Sequence, residues 1–165
     1  MSVKKISFKI GDLTIGGDSP ILIQTMCNTS TNDIEGSVKQ CEDVIAQGAD
    51  LVRLTTQGVR EVNSLAEIKS ILRGKGINTP LVADVHFSSK VAIAAASVAE
   101  KVRINPGNFA KEHSQALSEF DIFISECKKY GTAVRIGINH GSLGERITNL
   151  YGNTPKGMMM AALEW

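Results

Sequence analysis

Four apolar stretches of this sequence carry polar residues at matching points. Residues 49–55 contain Arg53, 81–87 contain Asp84 and His86, 102–108 contain Arg103 and Asn105, and 133–139 contain Arg135 and Asn139. Side chains on a strand alternate faces, so Asp84 shares a face with His86, Arg103 with Asn105, and Arg135 with Asn139. Three arginines therefore recur in one phase of successive strands. A guanidinium donates two parallel hydrogen bonds to a phosphate or carboxylate. Three that converge repel one another unless negative charge lies between them, and Asp84 supplies only one such charge. A ligand with two or more phosphate charges fits that excess. Any single arginine also suits a strand end that reaches solvent or pairs with an acid on a nearby loop, and the repeated phase is what favours a site.

The Asp84-x-His86 pair leaves two roles open. Asp84 can orient a neighbouring arginine while His86 donates to phosphate or moves a proton near neutral pH. Metal binding by two residues at i and i+2 is a weak signal, and no metal site is expected. His113 reads as a surface residue, whereas His140, in a loop after Asn139, lies within reach of a ligand. Two loops suit an anion. Residues 105–108, Asn-Pro-Gly-Asn, are a turn signature. Residues 139–144 bear two glycines and offer backbone N–H groups that form a nest. No catalytic residue is assigned with these groups.

The elements that must position these residues follow from periodicity. Residues 4–15 alternate as a hairpin turning at Gly11-Asp12. Residues 21–26 form a continuous apolar run around Gln24, as in a strand covered on both faces; Gln24, Met26 and Asn28 share a face. A helix follows, with Asn32 as N-cap and Glu35 three residues on, and Gly48 ends it. Strands are expected over 49–55, 81–85, 102–105 and 133–138. Helices between them carry Leu65, Ile68 and Leu72, then an Ala-rich face over 90–100, then Leu117, Phe120, Ile124 and Cys127. Thr154-Pro155 opens a last helix.

Strict strand–helix alternation implies a parallel sheet. An open doubly wound sheet and a barrel both fit. Polar residues at the C-terminal ends of so many strands favour the barrel, whose catalytic groups gather there. The expected fold is α/β: a partial TIM (β/α)8 barrel of about five βα units preceded by a β-hairpin. A whole barrel needs about 250 residues, so the 165 residues are expected to be a single domain piece, 1–165, from the first part of a longer protein.

Bulk properties narrow the class. With 42% hydrophobic residues, 21% charged residues and a net charge of +1, the chain reads as soluble and globular, with no overall pull toward nucleic acid or membrane. Three well-separated cysteines argue against a disulfide framework or zinc module. Cys41 and Cys127 read as core; Cys27, at a strand end, is open to a pocket role. The apolar run of a signal peptide is missing, so the Asn28-Thr29-Ser30 acceptor pattern reads as chance and a cytoplasmic location is expected.

Taken together, PLVADVHF (80–87), KVRINPGNFA (101–110) and AVRIGINHGSLGERI (133–147), preceded by ILIQTMCNTSTND (21–33) and GADLVRLTTQG (48–58), resemble the 4-hydroxy-3-methylbut-2-enyl diphosphate synthase family. The resemblance runs from about Lys5 to the end, in order and with the expected spacing, and the TTQG wording is closer to the family's long-insert branch. It implies a TIM-barrel domain that binds methylerythritol cyclodiphosphate. Arg53, His86, Arg103, Asn105, Arg135 and Asn139 match positions that hold the diphosphate, with Asp84 beside them. It implies reductive ring opening of that substrate in non-mevalonate isoprenoid biosynthesis, an oxidoreductase activity. Electrons reach a [4Fe–4S] cluster from ferredoxin or flavodoxin, and the cluster is held by three Cys and a Glu of a separate C-terminal domain in a homodimer. The three cysteines here do not match those ligands, the last three strands and a pocket lysine are missing, and the fragment alone is expected to be inactive. Rival readings are another phosphate-binding TIM-barrel enzyme, such as a pterin-binding synthase, or a non-catalytic diphosphate-binding domain.

Overall fold

The protein was analysed as a computed structural model describing residues 5–109 and 113–165. Two short strands, β1 (Ser7–Ile10) and β2 (Leu13–Gly16), pair antiparallel, with Ile10 opposite Leu13 and Gly11 turning at φ +56°. That is the hairpin expected from the alternation, although Lys4, where it was expected to begin, lies outside the described residues. Five parallel strands follow in the order β3 (Gln24–Met26), β4 (Leu51–Thr55), β5 (Leu81–Asp84), β6 (Lys101–Ile104) and β7 (Ala133–Ile136). Each is followed by helix, and spatial order equals chain order, as in part of a TIM barrel.

The first parallel strand is shorter than its apolar run. Only Gln24–Met26 pair; Ile21 is 94% exposed and Ile23 is also exposed. The expectation of a strand over 21–26 covered on both faces fails here: pairing begins only at Gln24, and Ile21 and Ile23 precede it on the surface of this edge strand. Helix α1 (Ile34–Ala46) is capped by Asp33, whose Oδ1 accepts from Gly36 N at 3.1 Å. Asn32, the expected cap, instead donates to Glu61 Oε1 (2.6 Å) and accepts from Ser64 Oγ (2.9 Å). It thereby ties the start of α1 to α2 (Val59–Gly74), which buries Leu65, Ile68 and Leu72 as anticipated.

Helix α3 (Ser89–Ala96) stops before the Ala-rich pattern does. Ser97 Oγ donates back to Ala94 O at 2.9 Å, the local competition that makes serine a poor helix continuer. The Asn105–Asn108 turn signature becomes a single helical turn, α4 (Pro106–Phe109), since proline at a first helical position has a suitable φ. On α5 (His113–Tyr130) the buried stripe runs through Phe123 and Cys127, while Leu117 is exposed. The helix is rotated so that Phe120 and Phe123 meet Phe109, with Phe109–Phe123 centroids 5.9 Å apart and Trp165 edge-on to Phe120 at 4.8 Å. A short α6 (Glu145–Tyr151) without a side-chain cap gave no sequence signal. α7 (Pro155–Leu163) begins as expected, Thr154 Oγ1 accepting from Gly157 N at 3.1 Å.

The sheet has two unlike faces. Val52, Leu54, Leu81, Ala83, Val102 and Ile104 belong to the main core with the helices, each large aliphatic contributing about 1.5–3 kcal/mol by leaving water. The other face holds a small cluster of Leu51 and Val82 with Ile10, Leu13 and Ile15 of the hairpin. The hairpin therefore plugs the N-terminal end of the inner face. The C-terminal end is left to polar groups.

Candidate functional site

Strand register sets the site out as a row. Thr55 pairs with Asp84, Asp84 with Arg103, and Arg103 with Arg135, so four strands bring these side chains to one level. Arg53 lies one step lower, opposite Val82 and beside Met26. Asp84 is 1% exposed and is the hub. Its Oδ2 lies 3.0 Å from His86 Nε2 and 3.4 Å from Arg53 Nε, and its Oδ1 accepts from Arg103 Nη1 at 3.3 Å. One carboxylate thus faces two guanidinium ions and an imidazole.

The arginines are held from behind as well. Arg53 rests on Met26, with Nε and Nη2 at 3.2 and 3.0 Å from Sδ. Arg103 Nη2 donates to Gly137 O at 2.9 Å. A Cβ on Gly137 would fall on Arg103 Nε, so this close approach requires glycine. Gly137 could have been singled out from sequence, since a lone glycine inside a strand pattern marks close approach. Among described partners, Arg53 Nη1 and Arg103 Nε make no hydrogen bond. The guanidiniums are oriented yet not satisfied.

The remaining expected residues take different positions. Arg135 stands level with Arg103 but is exposed and pairs with no described carboxylate. Asn105 is buried; its Nδ2 donates to Ser142 Oγ at 2.7 Å and its Oδ1 accepts from Gly107 N at 3.2 Å. It joins the loop after β6 to the loop after β7, where a Cβ on Gly107 would collide with Ser142 O. Asn139 is exposed and caps the short 3-10 turn His140–Ser142 by accepting from Gly141 N at 3.0 Å. Structure thus joins Arg53, Asp84, His86 and Arg103 in one network and sets Arg135 beside it. Asn105 and Asn139 shape the adjoining loops. Ser142 was not singled out from sequence, and nothing in its spacing would have marked it.

Cys27 belongs to the helix-facing core, its Sγ 3.8 Å from that of Cys41. Donation to Cys27, then burial, pushes the Cys41 thiol up, while the same bond lowers Cys27; burial, then Glu126, raises Cys127 to about 11. Cluster ligands must be thiolates, and the two raised thiols, Cys41 and Cys127, resist that form. Among the described residues no three metal-ligating side chains converge. The described residues therefore do not fit a [4Fe–4S] cluster.

Comparison with known proteins agrees with the fold. The model of the GcpE TIM-barrel domain matches residues 5–165. A 4-hydroxy-3-methylbut-2-en-1-yl diphosphate synthase (flavodoxin) from Phocaeicola vulgatus is 47% identical over 94% of the chain and 28% of its own length. Proteins of the same name from Leptospira interrogans and Chlamydia trachomatis are 42% and 40% identical, over 95% and 98% of the chain and 26% and 30% of their own lengths. The chain thus spans less than a third of these relatives.

Proposed function

The chain belongs to the GcpE TIM-barrel domain family, and from that premise we propose that it is the N-terminal part of a barrel that binds methylerythritol cyclodiphosphate. The parent protein would open that ring reductively to 4-hydroxy-3-methylbut-2-enyl diphosphate in isoprenoid biosynthesis. The observation that carries the reading is the network of Arg53, Arg103 and His86 around buried Asp84. Its excess positive charge and unused donors suit a diphosphate, and Arg135 at the same level extends the wall. Asp84 holds the guanidiniums in place, and His86, hydrogen-bonded to it, offers its other nitrogen to a phosphate oxygen. Asn105 and Asn139 support the loops around the mouth.

The [4Fe–4S] cluster would be held by the remainder of the parent, in keeping with the poor fit of these cysteines. The similar proteins carry "flavodoxin" in their names, which favours flavodoxin over ferredoxin as reductant of a parent homodimer. None of the described helices is long and apolar enough to cross a membrane, and a cytoplasmic site of action is part of the proposal.

Titration of the cyclic diphosphate into the chain and into Arg103→Ala tests the reading. Binding that is lost on substitution supports it. No binding by a folded wild type would favour a scaffold role instead.

A further inference from the structure

Among the described residues, Lys101 is the one charged group of the inner face that the site above leaves unexplained. It opens β6, level with Val82 and Ala133 and one alternation below Arg103. It is only 8% exposed, and Nζ donates to Gln24 Oε1 at 2.6 Å. Gln24 carries no charge. No described carboxylate comes within ion-pair distance of Nζ, because Asp84, the acid of this face, is engaged by Arg53, Arg103 and His86. The other groups that bear on it are cations: Arg53 from β4 and Arg135 from β7. The hairpin cluster of Ile10, Leu51 and Val82 fills the same end of the face, keeping water and counterions from that side.

A buried ammonium without an anion is costly, and here burial, then Arg135 and Arg53, hold its pKa below the usual lysine value. The local charge is relieved when an anion enters above it. We propose that Lys101 is the fourth cation of the anion site, acting from its floor to strengthen binding of a phosphate-class dianion or higher. Gln24 fixes its ammonium in that position. The inference rests on the diphosphate reading above.

Inorganic pyrophosphate is the probe, titrated calorimetrically at low and at high salt. Lys101→Met and Lys101→Gln keep the aliphatic stem and remove the charge. At low salt each variant is expected to bind about tenfold more weakly, with the deficit shrinking as salt rises, a dependence that a packing role would not produce. Arg103→Ala separates the two claims. If wild type binds, Arg103→Ala does not, and the Lys101 variants bind as wild type, Lys101 is no part of the site and this inference falls alone. If folded wild type does not bind at all, the diphosphate reading falls and takes this one with it. Should the Lys101 variants not fold, lysine 15Nζ spectra of wild type decide. Pyrophosphate that shifts the Lys101 Nζ resonance but not that of Lys69 supports the proposal, and an unmoved Lys101 resonance at saturating pyrophosphate overturns it.

Discussion

Glu100 and Asp84 each hold two cations, yet at opposite ends of neighbouring strands and in different ways. Glu100 sits before β6. Its Oε1 accepts from Lys69 and Arg73, both at 2.9 Å, and its Oε2 from Leu81 N at 2.8 Å. The same cations also bond backbone carbonyls, Lys69 to Val98 O (2.6 Å) and Arg73 to Ile77 O (2.7 Å). Burial opposes ionisation of Glu100, but Lys69, the Leu81 N–H and Arg73 together hold its pKa below the usual carboxylate value. These short bonds, with both cations also held by backbone carbonyls, fasten α2 to the start of β5 and β6. Around Asp84 the arginine contacts lengthen to 3.3–3.4 Å, and guanidinium donors remain unused. A tight ion cluster stabilises a fold, whereas a looser one with longer contacts, at the C-terminal ends of the strands, is prepared for a ligand.

Breaking each cluster in turn should separate stability from binding. The largest effect is expected from Arg103→Ala. Diphosphate affinity should fall about 100-fold, near 2.8 kcal/mol at about 1.4 kcal/mol per decade, by calorimetry. Next, Glu100→Gln should lower unfolding free energy by about 2 kcal/mol in urea melts and leave affinity unchanged. The figure is below the 3–5 kcal/mol of a fully buried broken pair because Glu100 keeps some solvent. Its pH dependence has a definite sign. With the folded pKa depressed, the stabilisation is complete above the unfolded value of about 4.3 and disappears as pH falls through the folded value. The gap between wild type and Glu100→Gln should therefore begin to narrow as pH falls below about 4.3.

Gly137→Ala should cost about tenfold in affinity, roughly 1.4 kcal/mol, because its methyl would take the place of Arg103 Nε. Smallest is Met26→Leu, which removes the sulfur behind Arg53 and should weaken binding about threefold, roughly 0.6 kcal/mol. Loss of stability rather than affinity in either variant would blur the distinction between the clusters.

The Asp84 side of this contrast was legible in the sequence, for a physical reason. Alternation along strands fixes which side chains share a face, so Arg53, Asp84, His86 and Arg103 could be grouped before any coordinates. Register then turned grouping into contact, and no single strand carries that information. Asn105 and Asn139 were placed with them by phase, yet their side chains are engaged by Ser142 and Gly141. Asn tends to bond nearby groups in turns, and alternation says nothing of that competition. The edge position of β3 was equally invisible, since Ile21 and Ile23 read as buried until their missing neighbour is known. Lys101 opened the fourth strand without attracting notice, because only burial shows that its charge lacks a partner.

The most direct test of the central claim compares the two clusters in one sample. In 1H–15N spectra of arginine Nε groups, added pyrophosphate should shift and sharpen the Arg53 and Arg103 resonances while Arg73 stays fixed. Equal movement of Arg73, or no movement of Arg53 and Arg103 at saturating pyrophosphate, would contradict the assignment of the Asp84 cluster to ligand binding and the Glu100 cluster to the fold.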